Sequence, residues 1–358
     1  METISFGIIG GGWRAEFYLR IARALPERFH VAGMLVRDAA KGRCLEQAWG
    51  IPTVRTLDDL LVTPGLQFIV VSVPRSACPL YLRQLAAKDM PALAETPPAA
   101  DLDGLLALCD LMAAGARIQV AEQYCFQPLH AARLSIVRSG KLGAVTQAQV
   151  SAAHGYHGVS LLRNLLGIGF AEATIRAREF SSPIVAGPDR EGPPTTEKII
   201  PSKQVIAQLD FEGKLAIYDF TGDQYFSWIR SPRVLVRGER GEINNTEVRY
   251  LKDYRTPIEL RLRRANAGED GNLEGYYLKG ILAGADWIYR NPFAPARLTD
   301  DEIAVATCLE KMAAYAAGGP DFYSLAEASQ DHYLSLLIDQ AVQTGEAVVA
   351  RRQPWADA

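Results

Sequence analysis

The sequence predicts an α/β chain: an N-terminal doubly wound parallel sheet, then an α+β region with a large mixed or antiparallel sheet. Three observations carry this. Over the first 125 residues, short apolar runs alternate with helical periodicity, the pattern of a parallel sheet with crossover helices. The run Phe68–Val73 (FIVVSV) is β-branched and continuous, as a central strand buried on both faces requires. Beyond residue 145 the pattern changes to several strands in succession, followed by helices. A boundary near Tyr124–Pro128 divides the chain into residues 1–124 and 125–358.

In order, Ile4–Ile9, Val31–Val36, Phe68–Val73, Ala92–Glu95 and Ile118–Ala121 read as strands. Phe17, Ile21 and Leu25, spaced by four, mark the first helix; Ala39–Trp49, Pro79–Lys88 and Leu102–Ala114 supply others. Val145–Ala153 reads as a strand and Gly158–Leu166 as a helix stopped by Gly167. Ala173–Phe180, Gln204–Phe211, Leu215–Thr221 and Arg233–Arg237 read as strands, with Gly213 and Gly241 at turns. The Pro- and Gly-rich segment Ser181–Pro194 reads as a surface loop. Three helices are expected near Gly275–Tyr289, Asp300–Ala316 and Leu325–Thr344, the last of them packing back on the first domain.

Composition narrows the function. The chain has 358 residues, 48% of them hydrophobic, and a net charge of −3; with no strongly basic stretch, it offers nucleic acid no electrostatic footprint. Its five cysteines are scattered and form no C-x-x-C pair, which argues against a disulfide framework or zinc site and suits a reducing cytoplasm. No apolar run approaches the roughly 20 residues of a membrane helix, and the first strand is not a signal peptide. Acids and histidines are not grouped at ligand spacing, so no metal is expected.

Gly10-x-Gly12-x-x-Ala15 falls where the first strand ends and the first helix begins. The first Gly allows a tight turn, the second a close approach of backbone to a pyrophosphate, and the third small residue a close helix–strand contact. A helix N-terminus then offers N–H groups and a positive dipole end to the phosphates. With a strand before and a helix after, this is a Rossmann dinucleotide site. At the end of the second strand, Val36 takes the position where NAD-type sites carry an acid, and Arg37 follows. Arg37 favours NADP over NAD; a two-residue change of register would give the ribose to Asp38 instead.

At this point the chain resembles the Gfo/Idh/MocA oxidoreductases, the glucose–fructose oxidoreductase and inositol dehydrogenase superfamily. The resemblance runs through GIIGGGWRA, VVSVP, AETPPAAD, VAEQYCFQP, SGKLGAV, HGYHGVSLLRNLLG and the C-terminal SLAEASQDHYLSLLIDQAVQTGEAV. It implies a nicotinamide held between two domains, hydride transfer at a carbinol carbon of a sugar, cyclitol or related polyol, and a homodimer or homotetramer formed through the second sheet. It implies cofactor contacts from Gly10, Gly12, Trp13, Arg14, Ala15, Arg37, Pro74, Glu95 and Gln123. Two departures stand out. Glu95-Thr96-Pro97 replaces the family's Glu-Lys-Pro, and Ala153 and Ser160 stand where acids are common around the retained His157.

The remaining residues support a reduced catalytic set. His157, at the start of a helix and facing inward, is the expected general base, its imidazole kept neutral by the helix N-terminus. Tyr156 is expected to donate a proton or bind a sugar hydroxyl. His154, two residues away, shares its face if the strand continues that far. Thr96, His154 and Tyr124 are the expected substrate contacts. Tyr225 and Trp228 read as interface or core aromatics rather than sugar platforms. Besides net oxidoreduction, a redox-neutral enzyme with tightly held cofactor and a non-catalytic dinucleotide-binding sensor or partner subunit fit the same residues.

Overall fold

The computed structural model describes residues 3–272 and 274–357. The first sheet is built from β1 (Ile4–Ile9), β2 (Phe29–Leu35), β3 (Thr53–Val54), β4 (Phe68–Val71), β5 (Ala92–Ala94) and β6 (Ile118–Val120). Between them run α1 (Ala15–Ala24), α2 (Ala39–Trp49), α3 (Leu57–Leu61), α4 (Cys78–Ala86), α5 (Leu102–Leu106) and α6 (Cys109–Ala113). All pairings are parallel, in the order β3-β2-β1-β4-β5-β6. Strand order therefore reverses between β1 and β4, and the crevice beyond their C-terminal ends is where such sheets bind ligands. The expected helix over 102–114 is two short helices. Ala107 still bonds four residues back to the Asp103 carbonyl, whereas Leu108 bonds three back to Leu105, which divides the two.

After a 3₁₀ turn at Tyr124–Phe126 come α7 (Pro128–Arg138), β7 (Val145–Ser151) and α8 (Gly155–Leu166). The second sheet adds β8 (Ala173–Val185), β9 (Ile199–Phe211), β10 (Lys214–Thr221), β11 (Arg233–Gly238), β12 (Gly241–Asn244), β13 (Glu247–Asp253), β14 (Thr256–Ala267), β15 (Tyr277–Ala283) and β16 (Asp286–Arg290). Helices α9 (Asp300–Ala316) and α10 (Leu325–Thr344) and the edge strand β17 (Val348–Ala350) finish the chain. The sheet has eleven strands, ordered β16-β15-β14-β13-β12-β11-β7-β10-β9-β8-β17. Among the described residues of this sheet, only β7 and β10 pair in parallel. It is thus a large mixed sheet, and the chain is α/β overall.

Two sequence expectations are corrected here. The helix expected over Gly275–Tyr289 is the β15–β16 hairpin, turned at Gly284 with φ +62. The run YYLKGILAGADWIYR fits helical and alternating spacing alike, and its aromatic and β-branched residues prefer the pleated surface. The loop expected over Ser181–Pro194 begins only after Val185. Pro183 lies opposite Pro201 in the β8–β9 ladder. That position lies beyond the reach of β17, which pairs only Ala173–Ile175, and of β10, which pairs only Gln204–Phe211. The outer arm is two-stranded, so neither proline's missing N–H is needed by a third strand.

The C-terminal helices fasten the two sheets to each other. Helix α9 packs on α1, β1 and β4, and α10 packs on α5, α6, α8, β6 and β8. Gln119 Oε1 of β6 accepts from the backbone N–H of Tyr323 at 2.9 Å. Within this junction Arg163 of α8, almost fully buried, pairs with Asp331 of α10 at 2.6 Å. Tyr323 donates to the other oxygen of that carboxylate and meets Ser160 of α8 at 2.7 Å. A buried charge pair of this kind fixes register more than it adds stability. Here it sets the position of the helix that carries His157. Among the described residues, no helix is long and apolar enough to cross a membrane.

Candidate active site

The strand ends of the first sheet and the start of α8 enclose a cleft of about 1240 Å³. At one end lies the Gly-rich turn. Gly10 has φ +112, and a Cβ there would sit 2.0 Å from the Ser72 carbonyl oxygen, so β1 and β4 can approach this closely only with glycine. Around Gly12 a Cβ would meet nothing within 4 Å, so the position opens onto the cleft. Helix α1 starts without a side-chain cap, its N-cap residue being Arg14. By contrast α2, α3, α5, α9 and α10 are capped by Asp38, Thr56, Asp101, Thr299 and Ser324. The first-turn N–H groups of α1 are thus left for an anion. Buried Gln123 Oε1 has no hydrogen-bond partner among the described residues and lines the same cleft, a ready acceptor for an amide. The residues present therefore fit a dinucleotide.

These features separate two mutations. Gly10→Ala should cost about 1–3 kcal/mol of backbone strain in addition to the clash, visible as a lower Tm. Gly12→Ala should leave Tm unchanged and weaken dinucleotide binding, because its new methyl projects into the space the pyrophosphate needs. Equal Tm values for the two variants would contradict this reading of the turn.

The structure brings the expected cofactor residues to one wall. Gly10, Gly12, Trp13, Arg14, Arg37, Pro74, Glu95 and Gln123 all line the cleft, and Ala15 opens α1 behind them. Glu95 is half committed: its Oε1 accepts from Arg14 at 2.8 Å and from the Tyr18 hydroxyl. Asp38 caps α2 through the N–H groups of Ala40 and Lys41, while Arg37 and Lys41 face the cleft beside it.

The opposite wall carries a cluster of histidine and tyrosine rings. Strand β7 ends at Ser151, so the strand expected to align His154 with Tyr156 does not continue that far. His154 is instead the N-cap residue of α8, and Tyr156 and His157 lie in its first turn. The rings still gather at the start of α8. His157 lies 4.4 Å from both Tyr156 and Tyr124 and 5.0 Å from His154, between ring centroids. Helix α8 can come this close because Gly155 donates its N–H to Tyr218 of β10 at 2.8 Å, and Gly158 sits against the Tyr218 ring. Thr96 lines the cleft, and its carbonyl accepts from the Tyr156 hydroxyl at 3.3 Å.

Two residues outside the sequence expectation complete the site. Glu122, at the end of β6 and buried, places Oε2 2.6 Å from His157 Nδ1. Burial pushes the Glu122 carboxyl up to about 8, opposed by the Tyr124 N–H and by Arg14. Burial likewise pushes the His157 imidazole down, with Arg14 adding to the effect. The neutrality expected from the helix N-terminus thus comes chiefly from desolvation. With both charged forms disfavoured, the pair at neutral pH is a neutral hydrogen bond rather than an ion pair, and its proton resides on the carboxyl. Tyr225, read from sequence as interface or core, lines the cleft; its hydroxyl lies 2.7 Å from His154 Nδ1 and 3.3 Å from that of Tyr124. Trp228 is exposed and is not part of the cleft lining. Both missed residues were legible as types, Glu122 in EQY and Tyr225 in DQY, but their partners lie 35 and 71 residues away. Among the described residues, no group of three His, Cys, Asp or Glu side chains is placed to hold a metal ion.

Comparison with known proteins agrees with this architecture. Residues 4–122 match the oxidoreductase family with an NAD-binding Rossmann fold, Gfo/Idh/MocA. Among curated proteins none matches the sequence. Similar solved structures include an Agrobacterium radiobacter oxidoreductase in complex with NAD+, L-tartaric acid and magnesium (16% identity, TM-score 0.67, 97% of this chain and 98% of that one). A levoglucosan dehydrogenase in complex with NADH and levoglucosan aligns with 15% identity and TM-score 0.69 over 97% and 99% of the two chains. The scyllo-inositol dehydrogenase of Lactobacillus casei aligns with 13% identity and TM-score 0.65 over 97% and 98%. These likenesses show a shared fold along nearly the whole chain. The family match covers residues 4–122, the segment that forms the six-stranded parallel sheet and its Gly-rich turn, so it is this NAD-binding Rossmann module that is similar to the Gfo/Idh/MocA oxidoreductases.

Proposed function

We propose that the protein is an NAD(P)-dependent oxidoreductase that moves a hydride between nicotinamide and a carbinol carbon of a sugar, cyclitol or related polyol. The observation that carries this reading is the buried Glu122–His157 pair, 2.6 Å apart, at the floor of a cleft that begins at the Gly-rich turn. When bound, the nicotinamide gives or takes the hydride; the chain handles the proton. In the oxidative direction His157 Nε2 takes the hydroxyl proton while Nδ1–H passes its proton to the Glu122 carboxylate. Reduction reverses both transfers. Glu122 thus takes the place of the acids absent at Ala153 and Ser160.

Around this pair, burial keeps the Tyr156 and Tyr225 phenols protonated; Tyr156 gives up its long bond to the Thr96 carbonyl to donate to a substrate hydroxyl. His154 orients Tyr225, and Thr96 and Tyr124 line the substrate end. Residues 1–124 form the cofactor unit and residues 125–358 the substrate and oligomerisation unit, whose sheet face joins two or four copies. The five free cysteines suit work in a reducing cytoplasm.

Arg37 tilts the cofactor choice to NADP. Titration with NADH and NADPH, followed by ligand fluorescence, should give micromolar binding of at least one. Arg37→Ala should weaken NADPH about tenfold and leave NADH within twofold, as the loss of one charge-assisted phosphate contact predicts. Equal losses for both would move Arg37 away from the 2′-phosphate.

A further inference from the structure

The β8–β9 arm does more than extend the second sheet. Its two strands pair from Thr174 and Asp210 out to Val185 and Ile199. The connection beyond them, residues 186–198, returns to the first sheet. Its tip is a closed turn: Asp189 and Gly192 exchange backbone hydrogen bonds at 3.0 and 3.3 Å, and the Asp189 side chain accepts from the Glu191 N–H at 2.8 Å. Gly192 supplies the φ of +129 that closes it. Arg190, second in this turn, lies with its guanidinium carbon 4.2 Å from the centroid of the Trp13 ring. Trp13 follows Gly12 in the Gly-rich turn, and both aromatic and guanidinium line the dinucleotide cleft.

Three features make this contact more than a surface stack. Trp13 is 53% exposed, so the ring itself gains little from burial and acts as a platform. A guanidinium over a ring face keeps its N–H donors at the edge, where a phosphate oxygen pair can be held bidentately. The neighbouring cation of the turn, Arg14, is already neutralised by Glu95 at 2.8 Å. Lys41, whose side chain lies beside Gly11, and Arg37 face the cleft from the first sheet; Arg190 is the cation that reaches the turn from the second sheet's arm.

We infer that Arg190 is a cofactor-binding residue, clamping the diphosphate of the dinucleotide from the second sheet's arm with Trp13 as its platform. This rests on the dinucleotide reading of the cleft. It means that the arm from one sheet closes over a ligand bound by the other. The contact is common to NADH and NADPH, since both carry the same diphosphate.

The test is calorimetric titration of the full chain and of Arg190→Gln and Trp13→Phe with NADH and NADPH at low and high ionic strength. Arg190→Gln should weaken both ligands by about tenfold at low salt, with the difference shrinking at high salt as the charge contact is screened. Trp13→Phe, which keeps a smaller ring, should weaken both by a lesser factor. Both sites are at the surface, and unchanged thermal melts establish that the variants fold. Wild-type binding with Arg190→Gln within twofold of it would overturn the clamp and leave the dinucleotide site standing. Loss confined to NADPH would overturn the diphosphate assignment in favour of the 2′-phosphate. Failure of the wild-type chain to bind either ligand would overturn the clamp and the cofactor reading together.

Discussion

Replacement of His157 by Ala should lower turnover by about 10²–10⁴-fold, the range that a positioned general acid–base contributes, while dinucleotide affinity stays within twofold. The separation follows from geometry. His157 contacts Glu122, Tyr124, Tyr156 and His154 around the start of α8, whereas the Gly-rich turn and the uncapped α1 lie on the opposite wall. The variant also leaves the buried Glu122 carboxyl without its partner. Since burial already holds that group protonated near neutral pH, the loss leaves a neutral acid rather than a bare charge, and the protein should remain folded. The check is kcat in either direction beside a binding titration and a thermal melt. An unchanged kcat would remove His157 from the reaction, and unfolding would show that the pair is structural.

The second large effect concerns pH. Oxidation needs Glu122 ionised to receive the relayed proton, and its carboxyl is pushed up to about 8. The oxidative rate should therefore rise about tenfold per pH unit below that value and level off above it. Reduction needs the proton on Glu122, so its rate should hold below about 8 and fall above it. The sign follows from a raised carboxyl: the protonated form persists through neutral pH and is lost as pH rises through the shifted value. Glu122→Gln should remove both limbs and leave a slow, nearly pH-independent rate. A profile set near pH 4 to 5, as an exposed carboxyl gives, would contradict the burial argument, and an unchanged profile in Glu122→Gln would assign the titration elsewhere.

Much of the cofactor half was legible in sequence because its signals are local. Gly10 and Gly12 are dictated by a turn that spans six residues, and FIVVSV is long enough to declare a buried strand. Gly167 and Gly213 likewise punctuate their own neighbourhoods, stopping α8 and turning the β9–β10 hairpin. The second half was harder because its pairings are distant and its strands carry mixed signals. The β15–β16 hairpin hides in a stretch that is apolar at both periods, and Pro183 looks like a loop residue until it is seen opposite Pro201 on a two-stranded arm. The site divides in the same way. His157 stands out by type and by its place at a helix start. Its partner Glu122 is an ordinary acid in sequence, and becomes notable only when the end of β6 and the start of α8 converge. Tyr225 and Arg190 reach the cleft from the second sheet's connections, across distances that no local pattern encodes.

The central claim, hydride transfer through this cleft with the Glu122–His157 pair moving the proton, is tested most directly by following reduced-nicotinamide absorbance. Purified protein, wild type and His157→Ala, would be incubated with NAD+ and NADP+ across a panel of sugars, cyclitols and polyols. The account predicts a stoichiometric rise in absorbance with at least one of these substrates and its loss in His157→Ala. Product formation without net change in cofactor, or cofactor binding with no product anywhere in the panel, would contradict it.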